Sequence, residues 1–171
     1  MAFDTALGRC AIRWSDAGIT GVALPQRTPH RAVGLESSVA MPEFARRAVD
    51  AIVEVMAGAP RDLRDVPLDE RGIDPFRRAV HAATREIAPG STRSYGEIAR
   101  AIGRPVAARD VGAALARNPF PIIVPCHRVV AANGALTGFS APGGLATKRR
   151  MLELEGAPGY GQQSLFGDGL G

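Results

Sequence analysis

The sequence predicts an α+β protein, a small unit of hairpin and helix followed by a mainly helical unit with a helix-turn-helix. Three observations predict it. Residues 9–24 alternate with the period of strands, residues from 44 onward repeat with the period of a helix, and two short helical patterns after residue 94 are joined by Gly103-Arg104-Pro105. A chain of 171 residues that is 46% hydrophobic and 22% charged has enough apolar material for one large domain or two small ones. Wholesale disorder is excluded on the same ground.

The elements follow in order. Cys10, Ile12 and Trp14 point one way and Arg9, Ala11 and Arg13 the other, a half-buried strand over 9–14. Asp16-Ala17-Gly18 turns the chain, and Ile19 to Leu24 returns as the second strand of a hairpin. Residues 25–42 are rich in Pro, Ser and Gly and read as loop. Phe44, Ala48, Ala51, Ile52, Val55 and Met56 then recur at helical spacing until Gly58. Residues 58–74 form a second loop, with Pro60, Pro67 and Gly72.

Asp74-Pro75 is a cap followed by proline at the first helical position, and Phe76, Val80, Ala83 and Ile87 form the stripe of that helix. Ser94 and Glu97 make a capping box before Ile98 and Ile102. A further helix is expected from Val106 to Arg117, stopped by Asn118-Pro119. Its inward face is Val111, Ala114 and Leu115. Arg109, Gly112, Ala113 and Ala116 fall on the outward face, which suits either a helix pressed into a large partner or the close approach of another helix.

Composition narrows the class. No apolar run approaches the ~18 residues of a membrane span, and Met1-Ala2-Phe3-Asp4 does not begin a secretory signal. Cys10 and Cys126 are the only cysteines, which excludes a disulfide scaffold and points to a reducing, cytoplasmic setting. The chain carries 20 Arg and one Lys against 17 acidic residues. Residues 1–74 have a net charge of −2, residues 75–150 of +9 and residues 151–171 of −3. A coding bias towards arginine explains Arg over Lys but not the clustering. A polyanion is the natural partner of the positive segment.

The chemistry gathers in Pro121-Ile122-Ile123-Val124-Pro125-Cys126-His127-Arg128-Val129-Val130, a strand-like run broken by a polar triplet and flanked by prolines that disfavour a central strand. Cys126 is either a buried inert thiol or a nucleophile. His127 and Arg128 beside it favour reactivity by lowering a thiol's pKa. Neighbours in an extended segment point apart, so a water between Cys126 and His127 is expected rather than a direct bond. No metal-ligand spacing is present, and Cys10, His30 and His81 are scattered. Glu155 falls near the apolar face of a helix beginning around Leu145. It is either a partly buried carboxylate seeking a partner such as histidine, or an exposed residue at a fraying end.

These residues carry a resemblance. The stretch from Phe76 to Gly156 resembles the C-terminal domain of the O6-alkylguanine-DNA alkyltransferases, the methylated-DNA–protein-cysteine methyltransferases. The matching residues are Ser94-Tyr95, Ala107-Ala108-Arg109, Arg117-Asn118-Pro119, Ile123 through Val129, Gly143-Gly144-Leu145 with Lys148, and Glu155-Gly156. Residues 1–74 match the family only in outline. The resemblance implies a ribonuclease H-like domain with its linker over 1–74, a winged-helix-like DNA-binding and alkyl-transfer domain over 75–156, and a tail over 157–171.

The resemblance also implies a mechanism. Cys126 would take the alkyl carbon from guanine O6, and Glu155 would hold His127, which draws the thiol proton through a water. Asn118 would brace the nucleophile turn. Tyr95 would protonate the departing guanine and crowd the adjoining phosphate. Arg109 would enter the base stack in place of the flipped nucleotide. Ala108, Gly112, Ala113 and Ala116 would let the helix sit in the minor groove. Main-chain groups of Val129 and the Ser140 hydroxyl would read the guanine. The protein would act once, without cofactor or metal, as a monomer on double-stranded DNA at the nucleoid, with O4-alkylthymine as a further substrate. Phe139 stands where many relatives carry Tyr, and Ala141-Pro142 precede Gly143-Gly144, which bears on the tolerated alkyl size.

Residues 157–171 lack helical period and read as a flexible extension. Within them Gln162-Gln163-Ser164-Leu165-Phe166 resembles the pentapeptide by which bacterial repair and replication proteins dock on the sliding clamp. Gln162 would hydrogen-bond, and Leu165 and Phe166 would fill an apolar pocket. Two other functions compete with alkyl transfer: a non-catalytic binder of alkylated DNA, against which Cys126 argues, and a cysteine hydrolase, against which the adjacency of Cys126 and His127 and the basic helix-turn-helix argue.

Overall fold

Three strands, β1 (Ala2–Thr5), β2 (Gly8–Trp14) and β3 (Ile19–Ala23), form an antiparallel meander in the order β1-β2-β3 in the computed structural model, which describes residues 1–26 and 40–161. The expected hairpin is β2–β3, with Ile12 opposite Val22 and a register shift at Arg13/Trp14. Strand β1 is additional, since four residues are too few to show a period. It pairs Thr5 with Gly8 across a turn that the Thr5 hydroxyl closes by donating to the Gly8 carbonyl at 2.8 Å.

Helix α1 (Glu43–Met56) buries Ala45, Ala48, Ala51, Ile52, Val55 and Met56. The small alanines let the helix lie close to the sheet. These residues join Ile12, Ile19, Val22 and Leu24 in one apolar core. That core does not stop at the N-terminal half, because Phe120, Ile122, Ile123, Val124 and Met151 belong to it. The Val22 amide also donates to the Pro119 carbonyl at 2.9 Å, so the β3 main chain holds the segment that leads to Cys126.

The second half begins with α2 (Pro75–Arg85), whose Asp74 cap accepts from the Arg77 amide at 2.9 Å. Helix α3 (Tyr95–Ala101) starts at the expected capping box, with Ser94 and Glu97 bonded reciprocally. Helix α4 (Ala108–Ala116) is shorter than the expected Val106–Arg117. Pro105 and Val106 remain in the turn after α3, where Val106 is 97% exposed. Val80, Ile87, Ile98, Ala99, Val111, Ala114, Leu115 and Val129 form the core beneath these helices.

The Pro-flanked run is not a strand. Residues 121–124 turn, and Cys126–Arg128 form one turn of 3₁₀ helix. Ile122 adopts φ 75°, which a β-branched residue rarely takes, and its buried side chain in the shared core holds it there. Strand β5 (Val129–Val130) then pairs in parallel with β4 (Arg93–Ser94), joining the end of the Cys126 turn to the start of α3. Helix α5 (Gly144–Leu154) ends at Glu155. Its cap, Gly143, has φ 83°, and a Cβ there would stand 2.2 Å from the Thr147 hydroxyl, so only glycine fits.

Candidate active site

Asn118 follows the C-terminal end of α4 and braces the loop from which Cys126 projects. Its side-chain amide donates to the Val124 carbonyl at 2.9 Å and its oxygen accepts from the Phe120 amide at 2.9 Å. The 3₁₀ turn thus begins from a fixed loop. The Cys126 amide adds a bond to the Val124 carbonyl at 2.8 Å.

The same turn sends His127 inward, where it is fully buried. Its Nε2 meets Glu155 Oε1 at 2.8 Å, and its Nδ1 is buried with no partner among the described residues. A buried ring nitrogen without a partner needs one, and a water is the group of the right size. The expectation of a water link between Cys126 and His127 rested on an extended chain. The chain is 3₁₀ here, so that ground falls away; Glu155 holds Nε2 and leaves Nδ1 as the ring nitrogen open to such a water.

The electrostatics correct a second expectation. Burial pushes the Cys126 thiol up, and the Asn118 hydrogen bond and the Lys148 charge pull it down without prevailing. Cys126 therefore rests as a neutral thiol, not as a thiolate. Arg128 does not serve the thiol either. It turns to Glu155, with Nε 2.9 Å from Oε2 and Nη2 2.8 Å from Oε1, and donates a further bond to the Ile87 carbonyl. Burial acts to raise the Glu155 pKa, but His127 and Arg128 outweigh it and hold the carboxyl at about 2. Burial also lowers the His127 pKa against the pull of Glu155, so the imidazole is neutral at ordinary pH. A neutral thiol beside a neutral, oriented imidazole is a pair in which the base must act at the moment of reaction.

A cavity of about 250 Å³ adjoins Cys126. Asn118, Phe139, Ser140 and Pro142 line one part, and Val22 and Leu24 from the N-terminal half line another. The Ser140 hydroxyl donates to the Ala116 carbonyl at 2.7 Å, tying the cavity-lining loop to α4. Tyr95 stands at the start of α3. Its hydroxyl donates to the Thr137 carbonyl at 3.0 Å, and a Cβ on Gly112 would lie 3.7 Å from its ring. Burial raises the Tyr95 pKa, so the hydroxyl keeps its proton. Val129 is fully buried, and its carbonyl accepts from Lys148 at 2.5 Å.

On α4, Arg109, Ala113 and Ala116 are exposed, while Ala108 and Gly112 are half-buried. Cys126, His127, Glu155 and Asn118 converge, and Tyr95, Val129 and Ser140 border them. Gln162, Leu165, Phe166 and His30 lie outside the described residues. Cys10 is buried in β2, and His81 pairs with Glu70 at 2.9 Å. Among the described residues no three His, Cys, Asp or Glu side chains gather as a metal site would need.

Two residues of the site have contacts that the sequence does not announce. Arg128 was expected to lower the Cys126 thiol, and its pairing with Glu155 across 27 residues has no local signature. Lys148 had a signal, since it is the chain's one lysine.

Comparison with known proteins points to one family. Residues 75–157 match the family model described as 6-O-methylguanine DNA methyltransferase, DNA binding domain. A methylated-DNA–protein-cysteine methyltransferase of Mycobacterium tuberculosis is 50% identical over 119 residues, 70% of this chain and 70% of the relative. One of Mycolicibacterium paratuberculosis is 40% identical over 154 residues, 89% of this chain and 88% of the relative. A crystal structure of Mycobacterium tuberculosis OGT in complex with DNA superimposes with a TM-score of 0.72 at 38% identity, covering 93% of this chain and 94% of that one.

Proposed function

The chain belongs to the methylated-DNA–protein-cysteine methyltransferase family, and on that premise we propose that it repairs DNA by moving the alkyl group of O6-alkylguanine onto its own Cys126. The observation that carries this is the buried Glu155–His127 pair: His127 directly follows Cys126, a neutral thiol beside a cavity, and its Nδ1 has no partner among the described residues. His127 takes the thiol proton through a water. The sulfur electron pair forms the new S–C bond, the C–O6 bond breaks, and its electrons pass to the guanine. Tyr95 gives its proton to the departing base, and the proton held by His127 restores the tyrosine through solvent. One proton leaves the thiol and one arrives on guanine, so the step balances. The resulting thioether is a poor leaving group, and each molecule acts once.

The exposed face of α4 supports minor-groove docking. Ala113 and Ala116 are small enough for close backbone approach, and exposed Arg109 has the reach to fill the gap left by a flipped nucleotide. We read the meander with α1 as ribonuclease H-like and α2–α4 with the β4–β5 pair as winged-helix-like. Action on O4-alkylthymine, a monomeric state and a location at the cytoplasmic nucleoid belong to the same proposal. The non-catalytic lesion binder is the second reading, and the presence of Cys126 at the cavity speaks against it.

Intact-mass measurement after incubation with an O6-methylguanine oligonucleotide tests the proposal. A single added methyl, absent in Cys126→Ser, is the expected result. Tight binding with no mass change in the unsubstituted protein would favour the lesion binder. The clamp proposal stands separately on Gln162, Leu165 and Phe166. A peptide of residues 158–171 is expected to bind a bacterial sliding clamp and to lose binding when Leu165 and Phe166 become Ala. No binding of the intact peptide ends that idea.

A further inference from the structure

The cavity beside Cys126 is shared between the two halves of the chain. Val22 of β3 and Leu24 just beyond it form one wall, and Phe139 and Pro142 of the loop before α5 form another. Tyr95 and Val129, which in the alkyl-transfer reading meet the guanine, do not line it. The space is therefore left to whatever hangs from O6. Its volume is about 250 Å³. An apolar cavity of about 150 Å³ holds a benzene ring, so a methyl group fills only a small part of this one.

We propose that Val22 and Leu24 are specificity-determining residues: the wall they build beside Cys126 limits the length of the O6-alkyl chain that the thiol can take, so the N-terminal half selects the lesion that the C-terminal half removes. This deepens the alkyl-transfer reading and rests on it. The substrates it admits are primary, unbranched O6-alkyl groups of up to about four carbon atoms, by comparison with the benzene-sized cavity.

The wall is fixed from several sides. Val22 and Leu24 are 8% and 4% exposed, and Ala23 between them faces out, as alternation along a strand requires. The Val22 amide donates to the Pro119 carbonyl at 2.9 Å, which ties the wall to the loop that carries Cys126. Gly21 permits that approach, since a Cβ there would stand 2.9 Å from Arg13 Nη2 and 3.3 Å from the Pro119 carbonyl oxygen. Behind Leu24, Pro25 packs on the turn between β1 and β2, where a Cβ on Gly8 would lie 3.0 Å from Pro25 Cγ. The opposing loop is tied as well, through Ser140 and the Ala116 carbonyl. Close-packed walls of this kind resist a chain that is too long.

The chemistry dictates where the chain must go. Sulfur attacks the first alkyl carbon opposite O6, the S–C bond forms as the C–O6 bond breaks, and the electron pair of that bond passes to the guanine. The remaining carbons leave this axis sideways and meet the apolar side chains of Val22, Leu24 and Phe139. A chain that fits is held there. One that is too long stops sulfur and carbon short of the ~3–3.5 Å from which they react. The balance of atoms and electrons is the same for every primary alkyl group.

The test offers one duplex with O6-methylguanine and another with O6-butylguanine in single-turnover reactions read by intact mass. The butyl-to-methyl rate ratio is compared between variants, which cancels the intrinsic difference between the two groups. Leu24→Phe should lower the ratio about tenfold or more and Leu24→Ala should raise it by a similar factor, the size of effect that methylenes have in a hydrophobic pocket. Val22→Ala should raise it too, and decides the matter if Leu24→Phe does not fold. Ile12→Val softens the same core without lining the cavity and should leave the ratio as it is. A ratio indifferent to Leu24 and Val22, or one that Ile12→Val moves equally, would overturn the proposal.

A second measurement needs no DNA. Cys126 is alkylated with iodoacetamide and with its N-butyl derivative, and each adduct is read by mass on the Cys126 peptide. The same substitutions should move the capture ratio in the same direction. If the unsubstituted protein takes neither group from DNA while this ratio still follows Leu24, the alkyl-transfer reading fails and the wall stands. If transfer from DNA proceeds and neither ratio responds to Leu24 or Val22, the wall fails and alkyl transfer stands.

Discussion

The Glu155 side chain is fully buried, and its one carboxylate answers both a permanent cation and the candidate base. Glu155→Gln leaves Arg128 buried without its counter-charge, and a loss of about 3–5 kcal/mol is expected in urea unfolding. The pH dependence has a definite sign. The folded-state pKa of about 2 lies below the ordinary value, so the stabilisation is complete above the ordinary carboxylate range and is lost as the pH falls through about 2. The midpoint of unfolding should therefore fall more steeply over that acid window in the unsubstituted protein than in Glu155→Gln. Asn118→Ala removes two bonds from the loop before Cys126. A loss of about 1–3 kcal/mol is expected, with slower methyl transfer measured by rapid quench. Residues such as Asn118 and Cys126 were legible because short fixed motifs surround them. The Arg128–Glu155 pair was not, because it depends on how α5 packs against the Cys126 turn.

In the proposed function, helix α4 separates stability from DNA contact along its two faces. Val111, Ala114 and Leu115 face the core, whereas Ala113 and Ala116 are exposed. Ala113→Glu should leave the thermal midpoint nearly unchanged, as exposed substitutions usually stay within about 0.5 kcal/mol. The same change should weaken duplex binding at least tenfold by fluorescence anisotropy, through bulk and repulsion of phosphate. Gly143→Ala makes the opposite division. Steric conflict with Thr147 and the positive φ should lower the thermal midpoint although the residue is exposed. The capping box at Ser94 and the proline start at Pro75 were readable because caps have local chemistry. The length of α4 was not, since its first turn gives way to a bend at Pro105 and Val106 that helical periodicity does not register.

The apolar core joins the two halves of the chain. Phe120, Ile122, Ile123, Val124 and Met151 pack with the meander and α1, and Val22 bonds to Pro119. A fragment confined to residues 75–157 would expose that surface and free the loop that holds Cys126. It should lack a cooperative melt by near-ultraviolet circular dichroism and transfer no methyl. Alternation and helical spacing were enough to place the hairpin and most helices. The division of side chains between cores was not readable, because it depends on which surfaces meet. The chain's cationic surface, finally, is made of guanidinium groups, since its single ammonium side chain is sealed inside. Acylation, which erases charge on lysine-rich nucleic-acid binders, has no side-chain handle on this one. Treatment with an N-hydroxysuccinimide acetate reagent should leave duplex affinity nearly intact, while arginine-directed phenylglyoxal should abolish it.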